Sequence, residues 1–529
     1  MGIKVLFVYP NSYGMNMLPP AIALLSAVLK EKGHSVELFD TTYYKPDFNT
    51  DSDGTKVERL NVLPFGSGSF TPRIKADWRD DFKDHVHSFN PDLIAMSSTE
   101  DMWELGLQML EEIENHITEN QTPVLVGGVF PTFAPHIAIN HRLVNLVCVG
   151  EGENAIRTLC ERIEKGQSFK DVTNLWVKNA DGSIIKNPMS DPVDVNDMPM
   201  MDITLFEEQR LMRPMAGKWY KMLPMETMRG CPYKCAYCNS PEQIDLYSAA
   251  TPQSSFFRKK KLDLVYKELK YFKDEIGVEY NYFWADTFLA LSDKELDEFC
   301  EMYSDIKLPF WMQTRPETLT EYKVKRLKEV GLHRFNVGIE HGNDEFRRKI
   351  LRRSWKNKDI IEVLKIPHRH GVQFTCNNIV GFPTETRELA METIELNWHV
   401  NADSQNLNAF VPFHGIPLRT MCEDLGLVKP GQITKCVTND PQIDMPQFPK
   451  AEVLGLTKCF VLYVKFPKSR WKDIRRAEKD TPEGNKILSE LREECQDKYF
   501  PKNKESDSGE DPSVADLEYG LEYPTSPHS

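Results

Sequence analysis

Glu226-Thr-Met-Arg-Gly-Cys231-Pro-Tyr-Lys-Cys235-Ala-Tyr-Cys238 sets three cysteines at C-x3-C-x2-C spacing behind a short, apolar, strand-like run. Gly230 lets the backbone turn tightly out of that strand, so three thiolates can converge on one small object. Three soft ligands in one loop suit an iron–sulfur cluster or zinc better than any hard cation. A cubane normally takes four cysteines, and the next one along the chain is only Cys300. One iron would stay open, which a catalytic site needs and a structural site avoids. The competing readings are a zinc knuckle or three unrelated buried cysteines. Zinc more often presents paired C-x2-C elements or histidines.

Downstream of this loop the chain repeats strand then helix. Candidate strands are Met225–Met228, Tyr280–Ala285, Phe310–Thr314, Arg334–Glu340, Gln373–Gly381 and Gln405–Phe413, with helices near 263–275, 293–304, 320–330, 357–370 and 386–399. Such units are too few for a closed eightfold barrel but suit an open one, its site at the carboxyl ends of the strands. Upstream, strands are expected at Val5–Tyr9, Val36–Phe39, Leu93–Met96, Val124–Val126 and Val144–Val149. Helices are expected from Pro19–Pro20 to about Lys32, over Met102–Glu119, and after Glu153. Alternation of this kind means an open parallel sheet with helices on both faces. Its ligands sit over the strand ends, where Asn11–Gly14, Ser97–Thr99, Gly127-Gly128 and Gly150–Glu153 fall. Those glycines are equally explained as tight turns. A hairpin is expected around Ala180-Asp-Gly182, within a connector whose methionines read as packing adapters.

At 529 residues the chain exceeds one ordinary core, so two or three domains are expected. With 40% hydrophobic and 27% charged residues it has a globular composition, and no apolar run is long enough to span a bilayer. The first residues do not read as a secretory signal. Eleven scattered cysteines form no secreted disulfide framework and point to a reducing, cytoplasmic setting. A net charge of −14 argues against a nucleic-acid partner, and the basic run Arg258–Lys261 reads as a solvated surface segment. Residues 450–498 look helical. The segment Glu505–Ser529, acidic and without Lys or Arg, reads as a disordered tail.

The cysteine spacing, with Tyr237 just before the last Cys, resembles the radical S-adenosylmethionine (SAM) enzymes. Companion motifs strengthen the resemblance. Gln313-Thr-Arg-Pro-Glu-Thr-Leu319 is similar to the family's Arg-Pro segment. Val337-Gly-Ile-Glu-His-Gly342 is similar to Gly-Ile-Glu-Ser-Gly, with His341 where Ser is common. Ile379-Val-Gly-Phe-Pro-Thr-Glu385 matches Gly-x-Pro-x-Glu, and Phe413-His-Gly-Ile-Pro417 resembles the segment closing the sixth unit. Leu18-Pro-Pro, Gly127-Gly-Val-Phe-Pro-Thr132 and Val149-Gly-Glu-Gly-Glu153 resemble the cobalamin-binding domain that precedes many radical SAM barrels. There is one departure. Asn11-Ser-Tyr-Gly-Met-Asn16 stands where cobalamin mutases carry Asp-x-His-x-x-Gly, so no His is offered as lower cobalt ligand. Many radical SAM members also lack it.

The resemblance implies an α/β chain with an N-terminal open parallel, Rossmann-like cobalamin-binding sheet (1–165) and a connector with the hairpin (166–221). A partial (β/α)6 radical SAM barrel (222–418), a small, mainly helical C-terminal cap (419–504) and the tail (505–529) follow. It implies a [4Fe-4S] cluster on Cys231, Cys235 and Cys238, and SAM held by Tyr237, Arg315, Glu340 and Gly381. Arg315 and Glu340 could equally form a salt bridge in the barrel mouth. Cobalamin would lie at Ser97, Ser98, Gly127, Gly128, Gly150 and Glu151. Asp286 is open between a SAM or substrate contact and a helix cap, and His414 reads as a scaffold residue. The implied activity is methyl transfer to an unactivated carbon of a small molecule, through a 5′-deoxyadenosyl radical and methylcobalamin, with flavodoxin or ferredoxin as electron donor. Three alternatives stay open: cyclisation or rearrangement without methyl transfer, an N-terminal domain that binds no cobalamin, and a zinc-binding interaction protein. No motif marks the substrate.

Overall fold

The structure, a computed structural model, describes residues 2–45, 52–62, 70–435 and 440–500. Cys436 and the acidic segment 505–529 lie outside the described residues, as does part of the polar insertion between the second and third strands.

The first sheet has strands β1 (Lys4–Tyr9), β2 (Ser35–Asp40), β3 (Leu93–Ser97), β4 (Val124–Gly127), β5 (Leu146–Cys148), β6 (Leu175–Lys178) and β7 (Ile184–Lys186), in the order β2-β1-β3-β4-β5-β6-β7. The first five are parallel, and β6 and β7 are antiparallel. Val5, Leu6, Phe7 and Val8 are all buried, as a parallel strand covered on both faces requires. The hairpin at 180–182 forms, but its strands extend this sheet rather than standing in a separate connector. The single helix expected over 102–119 is two, Trp103–Glu112 and Glu114–Glu119. The backbone leaves helical geometry at Ile113, whose side chain is pulled into the core. Helix Arg79–Phe89, which the sequence reading passed over, covers β1 and β2.

The second sheet contains β8 (Met212–Met215), β9 (Lys218–Glu226), β12 (Tyr280–Trp284), β13 (Phe310–Thr314), β14 (Leu332–Glu340), β15 (Gln373–Val380) and β16 (Ser404–Ala409), ordered β16-β15-β14-β13-β12-β9-β8. Between β9 and β12, β10 (Met228–Arg229) and β11 (Arg258–Lys259) form a two-stranded ribbon at the base of the cysteine loop. From β9 to β16 the pairing is parallel, and β8 adds an antiparallel edge. The first barrel strand therefore begins at Lys218, not Met225. Its start is amphipathic and is fixed by the hairpin to β8, whose turn places Ala216 and Gly217 at φ 51° and 84°.

Helices Lys450–Lys465, Trp471–Ala477 and Pro482–Tyr499 share one apolar cluster with the last barrel units, so the C-terminal segment seals that flank of the barrel. Among the described residues no helix is long and apolar enough to cross a membrane.

Candidate active site

The three motif cysteines sit at the carboxyl end of β9, above the ribbon. Cys231 and Cys235 are buried, and Cys238 caps helix Asn239–Ala250, its Sγ accepting from the Ser240 amide at 3.5 Å. Two of the three sulfurs also have a protein neighbour from outside the loop: Thr287 Oγ1 lies 3.4 Å from Cys231, and Arg315 Nη1 donates to Cys235 at 2.9 Å. Burial pushes the Cys238 thiol up to about 12 and raises that of Cys231, so thiolates here need a cation beside them. Among the described residues no three His, Cys, Asp or Glu side chains meet closely enough to chelate one ion. A cubane asks for something else, one thiolate on each of three irons. The loop therefore fits a cluster by donor chemistry and by its arginine partner.

Around it the barrel mouth is a buried charge network. Arg353 Nη1 donates to Glu340 Oε1 at 3.1 Å and to the Tyr237 hydroxyl at 3.0 Å, while its Nη2 lies 3.5 Å from Glu317. Arg315 pairs with Glu317 and stacks on Tyr233 with 3.9 Å to the ring centroid. Burial raises the Glu340 carboxyl above the carboxylate range despite Arg353. Arg353 itself is held above its ordinary value, since the surrounding Tyr237, Glu340 and Glu317 outweigh its burial. Glu340 ends β14 at φ 69°, across a register shift between β14 and β15. A bulky residue holds such a conformation only when its surroundings enforce it, and strain of this kind gathers at functional sites. Arg315 Nε is buried without a partner among the described residues, an orphaned donor facing this site. Arg353, Tyr233 and Thr287 were not singled out from sequence, because none belongs to a recognisable motif.

Other motif residues turn out to build backbone. Glu385 accepts from the amides of Gly381 and Phe382 at 2.6 and 2.9 Å and meets His341 Nε2 at 3.1 Å, all buried. Gly381, at φ 79°, turns there against Val453, which a Cβ would approach to 3.1 Å. His414 is bound by Glu100 at 2.8 Å and so docks the last barrel loop on the N-terminal domain. Asp286 accepts from Ser240 and lines a cavity of about 470 Å³ beside Cys238, rather than capping a helix.

The residues read as a cobalamin cradle divide. Ser97, together with Asn11, Gly14 and Thr99, lines a second cavity of about 1330 Å³ that runs from the edge of the first sheet into the barrel. Ser12 Oγ, next to Asn11, is buried without a partner among the described residues. Ser98, Gly127, Gly128, Gly150 and Glu151 line neither cavity. Gly128, at φ 103°, is required because a Cβ would come within 2.6 Å of the Ser98 carbonyl. At Gly150 a Cβ would collide with the Tyr247 hydroxyl at 2.6 Å. Glu151 is engaged by Arg229 at 2.7 Å and Arg258 at 2.6 Å, and it accepts from the Val193 amide at 2.8 Å. Its burial pushes its carboxyl up, but the two arginines outweigh that and hold it below the usual range. With Glu153 and Glu226, which also meet Arg229, it ties the root of the cysteine loop to the first domain. Arg258 is thus a structural clamp, not part of a solvated surface run.

Residues 225–396 match the radical SAM superfamily, and residues 8–160 match the B12 binding domain. The chain thus carries a radical SAM domain with a B12-binding domain ahead of it. It is 24% identical, over 74% of its length and 82% of the relative's, to an uncharacterized methyltransferase of Pyrococcus horikoshii. It is 21% identical, over 56% of its length and 58% of the relative's, to the bacteriochlorophyllide d C-12(1)-methyltransferase of Chlorobaculum tepidum. Its fold is that of the cobalamin-dependent SAM radical enzyme OxsB (TM-score 0.63, 15% identity, 94% of this chain and 71% of that one). The same holds for the radical SAM methyltransferase TsrM of Kitasatospora setae (TM-score 0.58, 17% identity, 80% of this chain and 76% of that one).

Proposed function

We propose that this protein is a cobalamin-dependent radical SAM methyltransferase acting on an unactivated carbon of a small molecule. The observation that carries the reading is the large cavity, whose wall is built jointly by the carboxyl edge of the B12-binding sheet and the inner face of the radical SAM barrel. When bound, the cluster and SAM supply a 5′-deoxyadenosyl radical for hydrogen abstraction, and cobalamin supplies the methyl group. Cys231, Cys235 and Cys238 would hold the cluster, and Arg315 would tune it through the Cys235 sulfur, since a donor to a cluster sulfur shifts its potential. Glu340, oriented by Arg353, would accept hydrogen bonds from SAM, with Tyr237 and the Gly381 turn beside it. Ser97, Thr99 and the Asn11–Leu18 segment would face cobalamin. An external electron donor such as flavodoxin or ferredoxin completes the cycle. The methyltransferase relatives favour methyl transfer over cyclisation or rearrangement.

The test is anaerobic reconstitution followed by product analysis with methyl-labelled SAM. Label recovered in a carbon–methyl product, with cobalamin absorbance in the purified protein, supports the reading. A turned-over product without label moves the protein to the cyclase alternative.

A further inference from the structure

The large cavity, of about 1330 Å³, is lined in its first half by the edge of the first sheet. Its second half is the lumen of the barrel. Alternate strand residues point one way, so Phe283, Met312, Phe335 and Phe374 fill the outer core while Tyr282, Trp311, Arg334, Asn336 and Thr375 line the lumen. One wall is aromatic: Tyr282 and Trp311 stack at 4.0 Å with 10° between planes, and Trp284 continues the stack at 6.3 Å. Across the neighbouring strands the wall continues as a ladder of amides, in which Asn336 takes the Trp311 indole at 3.1 Å and Asn406 donates to Asn377 at 3.0 Å. Trp284 lines both this cavity and the one beside Cys238, so it stands at the passage between them.

Charge is the telling feature. In a chain of net charge −14, Asp403 is the single acidic residue on the cavity wall among the described residues, beside several arginines and lysines. Asp403 is occupied by the Phe374 amide at 2.9 Å. Lys365 and Arg369 at the rim have their own carboxylates, Glu362 and Glu321. Arg213 instead lies over the Tyr282 ring at 4.2 Å, and Arg334 reaches the Ser404 hydroxyl at 3.5 Å. Elsewhere a buried arginine meets a carboxylate directly: Arg210 has Asp40 at 2.7 Å, Arg229 three glutamates, Arg353 Glu340. Burial accordingly pulls the Arg334 guanidinium below its ordinary value, with Tyr280 and Asp403 only partly opposing. Arg213 and Arg334 are half-buried and have no ion pair among the described residues, so an arriving anion would stabilise them.

Resting on the functional reading above, we infer that the substrate is an anion with a flat body. Its carboxylate or phosphate is gripped by Arg213 and Arg334 on the lumen floor, and its body lies along Tyr282 and Trp311 toward Trp284. Guanidinium forks suit both oxyanions.

The experiment uses the full chain loaded with cluster and hydroxocobalamin, and titrates phenyl phosphate, benzoate and uncharged benzyl alcohol by calorimetry. At least one anion should bind ten times or more tighter than the alcohol, the preferred one telling phosphate from carboxylate. Changing both arginines, Arg213→Gln with Arg334→Gln, should weaken that anion at least tenfold. The gentler Asn336→Asp, which adds a charge to the lumen without changing its shape, should do the same. Cluster and cobalamin absorbance report that each variant is folded. Equal binding of anions and alcohol, or unchanged affinity in the variants, would overturn the inference. SAM cleavage, assayed separately, distinguishes failure here from failure of the functional reading.

Discussion

The first sheet turns its carboxyl edge, and the barrel its inner face, toward the large cavity, yet the two use their motifs differently. In the barrel the motif side chains meet at one place: Cys235, Arg315, Glu340 and Tyr237 are joined through Arg353 and Glu317 within hydrogen-bonding reach. In the first sheet most motif residues are spent on architecture. Gly128 and Gly150 permit close turns, and Glu151 clamps the neighbouring domain. A motif that carries side-chain chemistry can thus be located from sequence. A glycine-rich motif marks a tight turn, and whether a ligand or a protein group fills the space is settled only by the fold.

The sharpest way to break this contrast is at the cysteines. Cys231→Ala or Cys238→Ala should lose most of the bound iron, whereas Cys300→Ala and Cys376→Ala, both in the apolar core, should retain it. Iron and sulfide analysis after anaerobic reconstitution decides. Next in size is Arg353→Gln, which leaves Glu340 and Glu317 buried without their shared cation. A loss of about 3–5 kcal/mol in denaturant unfolding is expected, as for breaking a buried ion pair. Glu340→Ala should keep the cluster but weaken SAM by about 10- to 150-fold, since a hydrogen bond to a charged group is worth about 1.5–3 kcal/mol. An unchanged dissociation constant would make Glu340 purely structural.

The smallest effect tests the other edge. Glu151→Gln should cost about 1.5 kcal/mol, the low end for a hydrogen bond to a charge, because Glu153 and Glu226 still face Arg229. The Glu151 carboxyl is held low in the folded state. Its contribution is therefore present above the unfolded value of about 4.3 and is lost as pH falls through the folded one. Thermal melts of wild type and variant should differ at pH 7 and converge under acid; a constant difference would remove Glu151 from the clamp.

Much of the fold was legible in advance. Continuous apolar runs such as Val5–Val8 announce buried strands, and most expected helices lie within a few residues of observed ones, though 357–370 divides into Asn357–Val363 and Lys365–Arg369. What escaped had weak local signals: the amphipathic start of β9 at Lys218, and the break at Ile113, which tertiary packing imposes. At the candidate site, spacing drew Cys231, Cys235 and Cys238 and the resemblance drew Glu340 and Arg315, and the structure brings Arg315 to Cys235 and Glu340 to Arg353. Arg353 was drawn by neither, because its role exists only once residues far apart in sequence meet. The lumen wall was hidden for another reason. Asn336, Thr375 and Asn406 sit on strands, where alternation with apolar residues reads merely as a half-exposed sheet.

The central claim is that the loop Cys231–Cys238 makes this chain a SAM-cleaving enzyme, and 5′-deoxyadenosine measures it directly. Reconstituted, chemically reduced wild type should convert SAM to 5′-deoxyadenosine and methionine, and Cys235→Ala should form none above the protein-free background. Equal 5′-deoxyadenosine from both proteins would contradict the account.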